Sequence, residues 1–263
     1  MDSARVVRDQ GHTREAGRVL LTGGTGRLGT ALRGLLPELI APSKAELNIT
    51  DLHSVQMAFV RYRPQVVVHA AAYTHVAQAE TDQTMCWRVN VEGTRNLVQA
   101  ALQQDLHFVH ISTDYVFWGD RGGYQEDDPV GPVRNYYALS KLVAEEVVRL
   151  LPRHLVIRTS FRLSPWPYPT AYTDLYTSQD YLEVIAPQLA LALQNLDRIP
   201  YTTLHIATER KSAYELARRT RPEVQPASRK EASVALPEDV SLDISRWRAL
   251  LSGWELMPKK KSL

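Results

Sequence analysis

The chain has a single cysteine, Cys86, among 263 residues, which excludes an internal disulfide and fits a reducing compartment. It has no run of about 18 apolar residues, so no segment reads as a membrane span. Nor does it have a surplus of either charge: 31 basic against 29 acidic residues leave a net of +2, too little to make nucleic acid its main partner. The eight histidines are scattered without metal-ligand spacing, so no metal is expected. Internal repeats and low-complexity blocks are missing as well. Residues 1–17 are polar and charged, lack the apolar core of a signal peptide, and are expected to be poorly ordered. Lys259, Lys260 and Lys261 read as a solvated basic tail. The cytoplasm is the expected setting.

What the chain does have is apolar residue enough, 44%, to bury a substantial core. Short β-rich runs over 18–22, 66–70, 107–112 and 155–159 read as strands buried on both faces, with 38–41 a weaker strand. Amphipathic segments over 28–36, 52–62, 82–104 and 137–151 read as the helices between them. That alternation predicts an α/β fold with a parallel, doubly wound sheet. After Ser160 the pattern changes, because Pro165, Pro167 and Pro169 forbid regular structure around them. Beyond them, helices are expected over 180–196, 212–219 and 244–251, a strand over 204–207, and an irregular connection over 222–239. Residues 161–263 are thus expected to form a small part packed over the carboxyl edge of the sheet, where open α/β sheets bind ligands.

The stretch VLLTGGTGRLGTAL begins at Val19. Gly23, Gly26 and Gly29 follow a strand directly and open a helix, which is the context in which such glycines hold a pyrophosphate. Gly23 permits the tight turn, Gly26 admits the backbone to the phosphates, and Gly29 lets helix and strand pack closely. An unliganded glycine-rich turn is the alternative reading of the same spacing. After the next strand position the chain reads IAPSKAEL. Ser43 and Lys44 stand where an acid would select NAD(H), which favours NADP(H); a plain surface lysine and a site that takes either cofactor is the other reading.

Further on, ISTDYVF closes a strand and YYALSK opens a helix. Tyr137 and Lys141 are four apart, so a helix places them on one face. There the ammonium is expected to lower the phenol's pKa, while Thr113 at the strand end positions a carbonyl oxygen.

These segments, with VVVHAAAYTHVAQAE, WRVNVEGTRNL, YQEDDPVGP and YYALSKLVAEE, resemble the extended short-chain dehydrogenase/reductase superfamily, and most closely its dTDP-4-dehydrorhamnose reductase branch. The resemblance runs from Val19 to Thr159, with weaker echoes to Leu251. It implies a Rossmann-like cofactor domain over 18–160 and a small, shortened substrate part over 161–263. It also implies hydride transfer from a nicotinamide to a 4-keto nucleotide sugar or a related carbonyl compound, with Thr113, Tyr137 and Lys141 as the catalytic set. By the same resemblance Asn90 holds the lysine's water, Arg27 and Leu28 lie over the pyrophosphate, and Ala70, Ala71, Ala72 and Tyr73 border the cofactor. Asn48 and Ile49 fall in NIT, where the branch usually has DIT near the adenine. The segment after Ser160 departs from the branch and carries Trp166, Tyr168, Tyr172, Tyr176 and Tyr181, read mostly as packing residues. The helices over 82–104 and from Tyr137 are faces that such proteins pair in a homodimer. Two other functions fit the same cofactor motif: a non-catalytic NADP-binding subunit of another enzyme, and a nucleotide-sugar epimerase or dehydratase.

Overall fold

Leu20 and Leu21 are neighbours in sequence, both fully buried, and belong to different cores. The same holds for Val67 and Val68 and for Phe108 and Val109. Alternate residues of a strand point to opposite faces, so these runs are apolar throughout because helices cover the sheet on both sides. Each such side chain contributes roughly 1.5–3 kcal/mol on burial.

A computed structural model describes residues 18–255; the expectations for 1–17 and for the lysine tail lie outside the described residues. The first half runs β1 (Val19–Thr22), α1 (Arg27–Leu35), α2 (Leu52–Tyr62), β2 (Val66–His69), α3 (Val76–Thr81), α4 (Gln83–Trp87) and α5 (Gly93–Ala101). Next come β3 (His107–Ser112), α6 (Tyr136–Val148), β4 (His154–Arg158), β5 (Phe161–Arg162), β6 (Thr170–Tyr172), β7 (Tyr176–Thr177) and β8 (Asp180–Tyr181). The chain closes with α7 (Leu182–Gln194), β9 (Thr203–His205), β10 (Lys211–Ser212), α8 (Ala213–Arg218), β11 (Gln225–Ala227) and α9 (Ser245–Glu255). No helix among the described residues is long and apolar enough to cross a membrane.

The main sheet is parallel in the order β1-β2-β3-β4-β9. The weaker strand over 38–41 is a single bridge, Ile40 beside Leu20. Its two hydrogen bonds, Leu21 N–H to the Ile40 carbonyl at 2.8 Å and Ile40 N–H to the Val19 carbonyl at 2.9 Å, lie between Pro37 and Pro42, which lack the donors to extend it. From β1 the chain therefore turns to Ile40 on one side and later to β2 on the other. Such a reversal opens a crevice at the carboxyl ends of the strands. One face is covered by α1, α7 and Trp247 of α9, the other by α2, α5 and α6.

The helix expected over 82–104 is α4 and α5 joined through a π-helical turn, Arg88–Glu92. Wide turns of this kind re-aim side chains within a helix, and this one carries Asn90. The helix α3 was not foreseen in the sequence. Beyond Ser160 the chain is shared between two places. As expected, 163–169 holds neither helix nor strand. Here β6 pairs with β11, and α8 closes a small core of Trp166, Ala171, Leu175, Tyr181, Leu216 and Val224. The intervening α7 and β9, and later α9, return to the main sheet. The expected helix at 180 starts at Leu182 because Asp180 and Tyr181 pair with β5. Asp243 accepts the Ser245 N–H at 2.8 Å at the head of α9, while the Ser241 hydroxyl accepts from Gly123 N–H at 2.9 Å.

Candidate active site

The glycine loop is shaped by what its residues lack. Gly23 has φ +75°, and a Cβ there would meet the Ala71 nitrogen at 2.6 Å; a Cβ on Gly29 would meet the Gly23 carbonyl at 2.1 Å. Both contacts are with backbone, which cannot step aside. Gly26 caps α1 with no side-chain hydrogen bond, so the first turn presents unpaired N–H groups and the positive end of the helix dipole. This is a cradle for a diphosphate, and the residues present fit a dinucleotide.

The loop opens into a cleft of about 1560 Å³ that runs along the sheet's carboxyl edge. Of the residues singled out from the sequence, Gly23, Gly26, Arg27, Leu28, Gly29, Lys44, Asn48, Ile49, Ala70, Ala71, Ala72, Tyr73, Thr113, Tyr137 and Lys141 all line it. Ser43 and Asn90 do not. Ser43 gives both its N–H (2.9 Å) and its hydroxyl (3.0 Å) to Glu46 in a local turn, which leaves Lys44 alone at the position read as cofactor-selecting. Asn48 closes a turn of its own: its side-chain oxygen accepts from the Thr50 N–H and hydroxyl at 3.2 and 2.9 Å. An aspartate could accept the same two bonds, so the NIT departure keeps the local structure. Among the residues lining the cleft, Arg27, Lys44, Arg88, Lys141 and Arg162 are basic and Asp114 alone is acidic.

Asn90 sits behind the wall as a brace. Its side-chain oxygen accepts the Tyr73 N–H at 2.7 Å, and its amide donates to the Tyr73 carbonyl at 3.1 Å and to the Ser140 hydroxyl at 2.8 Å. It thereby ties the loop after β2 to α6. The backbone carbonyl of Asn90 accepts from Thr94 at 2.6 Å.

Tyr137 and Lys141 are placed by the start of α6. Asn135 caps that helix by accepting the Ala138 N–H at 2.8 Å, and Glu80 accepts the Tyr136 N–H at 2.7 Å. Thr113, the residue after β3, is buried, donates to Asp114 at 3.0 Å and accepts the Tyr115 N–H at 3.2 Å. The Thr113 hydroxyl also lowers the Tyr137 pKa, against the larger effect of burial. The three groups therefore converge on one end of the cleft.

The electrostatics correct one expectation. The Tyr137 pKa is raised, not lowered: burial is the larger cause and the Asp114 carboxylate the second. Lys141 does not relieve it, because its ammonium is directed to the Ile111 carbonyl at 2.8 Å and to His110 Nε2 at 3.1 Å. Burial pushes Lys141 down to about 8, against the raising effect of Glu145 one turn along α6. Burial likewise lifts Asp114 to about 6, although Thr113 and Thr177 hydrogen bond it. Tyr115, edge-on to Tyr137 at 6.5 Å, is pushed up to about 12 for the same reason.

Some of this was missed in the sequence. His69 and His110 stand next to each other on β2 and β3, ring centroids 5.2 Å apart and both about 1% exposed. His69 lies between the hydroxyls of Thr22 and Thr94, at 2.7 and 3.0 Å. The available signal was a histidine in an otherwise apolar strand, at the parity that faces α6. Of the aromatic residues after Ser160, Trp166 and Tyr181 belong to the small core, Tyr168 and Tyr172 line the cleft, and Tyr176 lies under Arg210. Arg162 stands over Trp166 and Tyr168 at 5.0 and 5.8 Å.

Comparison with known proteins places the chain among relatives of similar sequence and fold. The model of the RmlD substrate binding domain matches residues 17–249. A dTDP-4-dehydrorhamnose reductase of Aggregatibacter actinomycetemcomitans is 35% identical over 181 residues, 65% of this chain and 61% of that protein. The spore coat polysaccharide biosynthesis protein SpsK of Bacillus subtilis is 39% identical over 150 residues, 55% of this chain and 53% of that protein. In sequence the chain thus spans between half and three-fifths of these relatives. The crystal structure of dTDP-4-dehydrorhamnose reductase from Bacillus anthracis, in complex with NADP, superimposes with a TM-score of 0.80 at 29% identity, covering 89% of this chain and 92% of that one. A Thermus thermophilus UDP-glucose 4-epimerase complexed with NAD, at 22% identity and a TM-score of 0.70 over 92% of this chain and 94% of that one, shares the fold.

Proposed function

The chain belongs to the RmlD substrate binding domain family, and from that premise we propose that it is an NADPH-dependent reductase of a 4-keto nucleotide sugar. The observation that carries this reading is the convergence of Thr113, Tyr137 and Lys141 at one end of a cleft whose other end is the Gly23–Gly29 cradle. The NADP-bound relative of similar shape supports the cofactor, and the names of the sequence relatives support the substrate class.

In this reading Gly23, Gly26 and the first turn of α1 hold the diphosphate, with Arg27 beside it and Lys44 toward the 2′-phosphate. The nicotinamide, when bound, supplies the hydride. Tyr137 gives its proton to the carbonyl oxygen, and a raised pKa keeps that proton in place at neutral pH until the oxygen becomes basic. Thr113, whose hydroxyl donates to Asp114 in this structure, would turn that proton to the same oxygen. Lys141, with two N–H groups given to Ile111 and His110, would offer the third to the ribose hydroxyls. Asn90 keeps the Tyr73 backbone, which borders the cofactor, in register with α6.

Tyr137→Phe is expected to lower turnover about 10²- to 10⁴-fold while leaving NADPH affinity unchanged, measured by NADPH oxidation with a dTDP-4-keto sugar and by cofactor titration. Retained turnover would remove the assigned mechanism. A non-catalytic subunit and an epimerase are less well supported, since the catalytic set is intact and the sequence relatives are named as reductases. A cytoplasmic setting and a homodimer accompany the reading. Met85 on α4 and Leu139 on α6, 42% and 38% exposed, supply apolar surface for such pairing.

A further inference from the structure

An ammonium carries three N–H donors, and the protein already occupies two of those on Lys141. One points to the Ile111 carbonyl at 2.8 Å and one to Nε2 of His110 at 3.1 Å. An ammonium has no lone pair, so Nε2 must accept, and the ring proton of a neutral His110 then sits on Nδ1. That Nδ1 finds no partner among the described residues, although the ring is only 1% exposed. Buried donors without partners are rare. The other tautomer would set N–H against N–H at Nε2, so the lysine contact dictates which one the ring adopts.

The remaining groups around Lys141 are engaged elsewhere. Glu145, one turn along α6, is held by Arg158 at 2.8 Å. Cys86 on α4 donates its thiol proton to Ser140 at 3.3 Å. His69 on β2 is tied to Thr22 and Thr94, and Tyr137 lies one turn back on α6 beside Thr113. Among the described residues, His110 is the side chain hydrogen-bonded to the lysine nitrogen.

We propose that His110 is a positioning residue for Lys141: as a permanently neutral acceptor it takes one N–H, the Ile111 carbonyl takes another, and the third is left aimed into the cleft. His110 and Ile111 lie on β3, the strand that ends at Thr113. One rigid element thus sets the lysine's direction and the position of the catalytic hydroxyl together. Burial and the facing ammonium hold His110 well below its ordinary pKa, in keeping with an acceptor that does not protonate in the working range.

The catalytic meaning of this contact rests on the reductase reading, but the contact itself does not, so it is tested first on the full chain without ligand. Ring ¹⁵N spectra of His110 are expected to show a neutral Nδ1–H tautomer from pH 8 to pH 5. An Nε2–H tautomer, or a charged ring at pH 6, overturns the proposal, and this measurement needs no variant. In His110→Leu the acceptor is gone, and the ¹³C shift of the Lys141 ε-carbon is expected to titrate about one pH unit lower than in the wild type. His110→Gln, which keeps an acceptor oxygen, restores most of the difference. The alkaline limb of the kcat profile moves with the lysine in both variants. Identical lysine titrations in wild type and His110→Leu overturn the proposal. A wild-type chain that reduces no carbonyl counts against the reductase reading alone, since the two spectroscopic readouts still decide the contact.

Discussion

At one end of the cleft Gly23, Gly26 and Gly29 form the wall by having no side chains; at the other, Asp114, Tyr137 and Lys141 form it with polar side chains, and His110 is buried behind Lys141. The glycine end works by shape and by the dipole of α1, neither of which titrates. The chemical end works by groups that hold one another in place, each displaced from its ordinary pKa by burial. The first is therefore sensitive to a single added methyl group and indifferent to pH, and the second is the reverse.

The strongest test of the side-chain-built end is to unpair its deepest ion pair. Arg158 and Glu145, 1% and 0% exposed, meet at 2.8 Å between β4 and α6. Glu145→Ala is expected to cost about 3–5 kcal/mol in denaturant unfolding, because it strands a buried guanidinium, and joint replacement of both residues by apolar ones should recover most of that. A loss below about 1 kcal/mol would show that water reaches the pair.

Acid should expose the same contrast. His69 and His205 are held down at about 3 by burial, and His110 is also well below its usual value. Their folded pKa values lie below the unfolded one, so below about pH 6.5 the unfolded chain takes up protons that the fold refuses. Each then removes about 1.4 kcal/mol of stability per pH unit. Asp114 acts in the opposite sense, since the fold raises it to about 6 from 3.8; between those values it offsets one histidine. The melting temperature is expected to fall steeply from pH 6.5 to 4.5, and a flat profile breaks the contrast.

Smaller effects belong to the glycine end. Gly29→Ala, with its Cβ 2.1 Å from a backbone oxygen, is expected to cost about 1–3 kcal/mol and to weaken NADPH binding. Gly34→Ala in the same helix, with nothing within 4 Å of the added carbon, should be neutral or slightly stabilising in the same melts. Smallest of all, Lys44→Ala is expected to raise the KM for NADPH about tenfold with little change for NADH. Equal changes for both cofactors would detach Lys44 from the 2′-phosphate.

The fold was legible because Leu20–Leu21, Val67–Val68 and Phe108–Val109 are apolar without alternation, a pattern that only a two-sided sheet accommodates. The glycine loop and the Tyr137–Lys141 spacing were legible because each is local: a few residues along one turn carry the whole geometry. What escaped depends on residues far apart in the chain. Nothing in the neighbourhood of Lys141 says that it leans on His110, 31 residues upstream, whereas the capture of Ser43 by Glu46 spans three residues and was within reach of the S-x-x-E spacing. The direction of the Tyr137 shift escaped for a similar reason. Helical spacing gives a cation nearby, but only the packed structure shows that its ammonium is engaged by Ile111 and His110 and that the carboxylate of Asp114 adds to the upward shift of the phenol.

The imbalance of five cations against one carboxylate along the cleft has a kinetic consequence. A molecule almost neutral as a whole presents one strongly positive mouth, so phosphate-bearing ligands are drawn toward it before any contact forms. Dissolved ions shorten that pull to roughly 8 Å at physiological salt, which makes the rate of capture, more than the chemistry that follows, the property most exposed to the ionic surroundings.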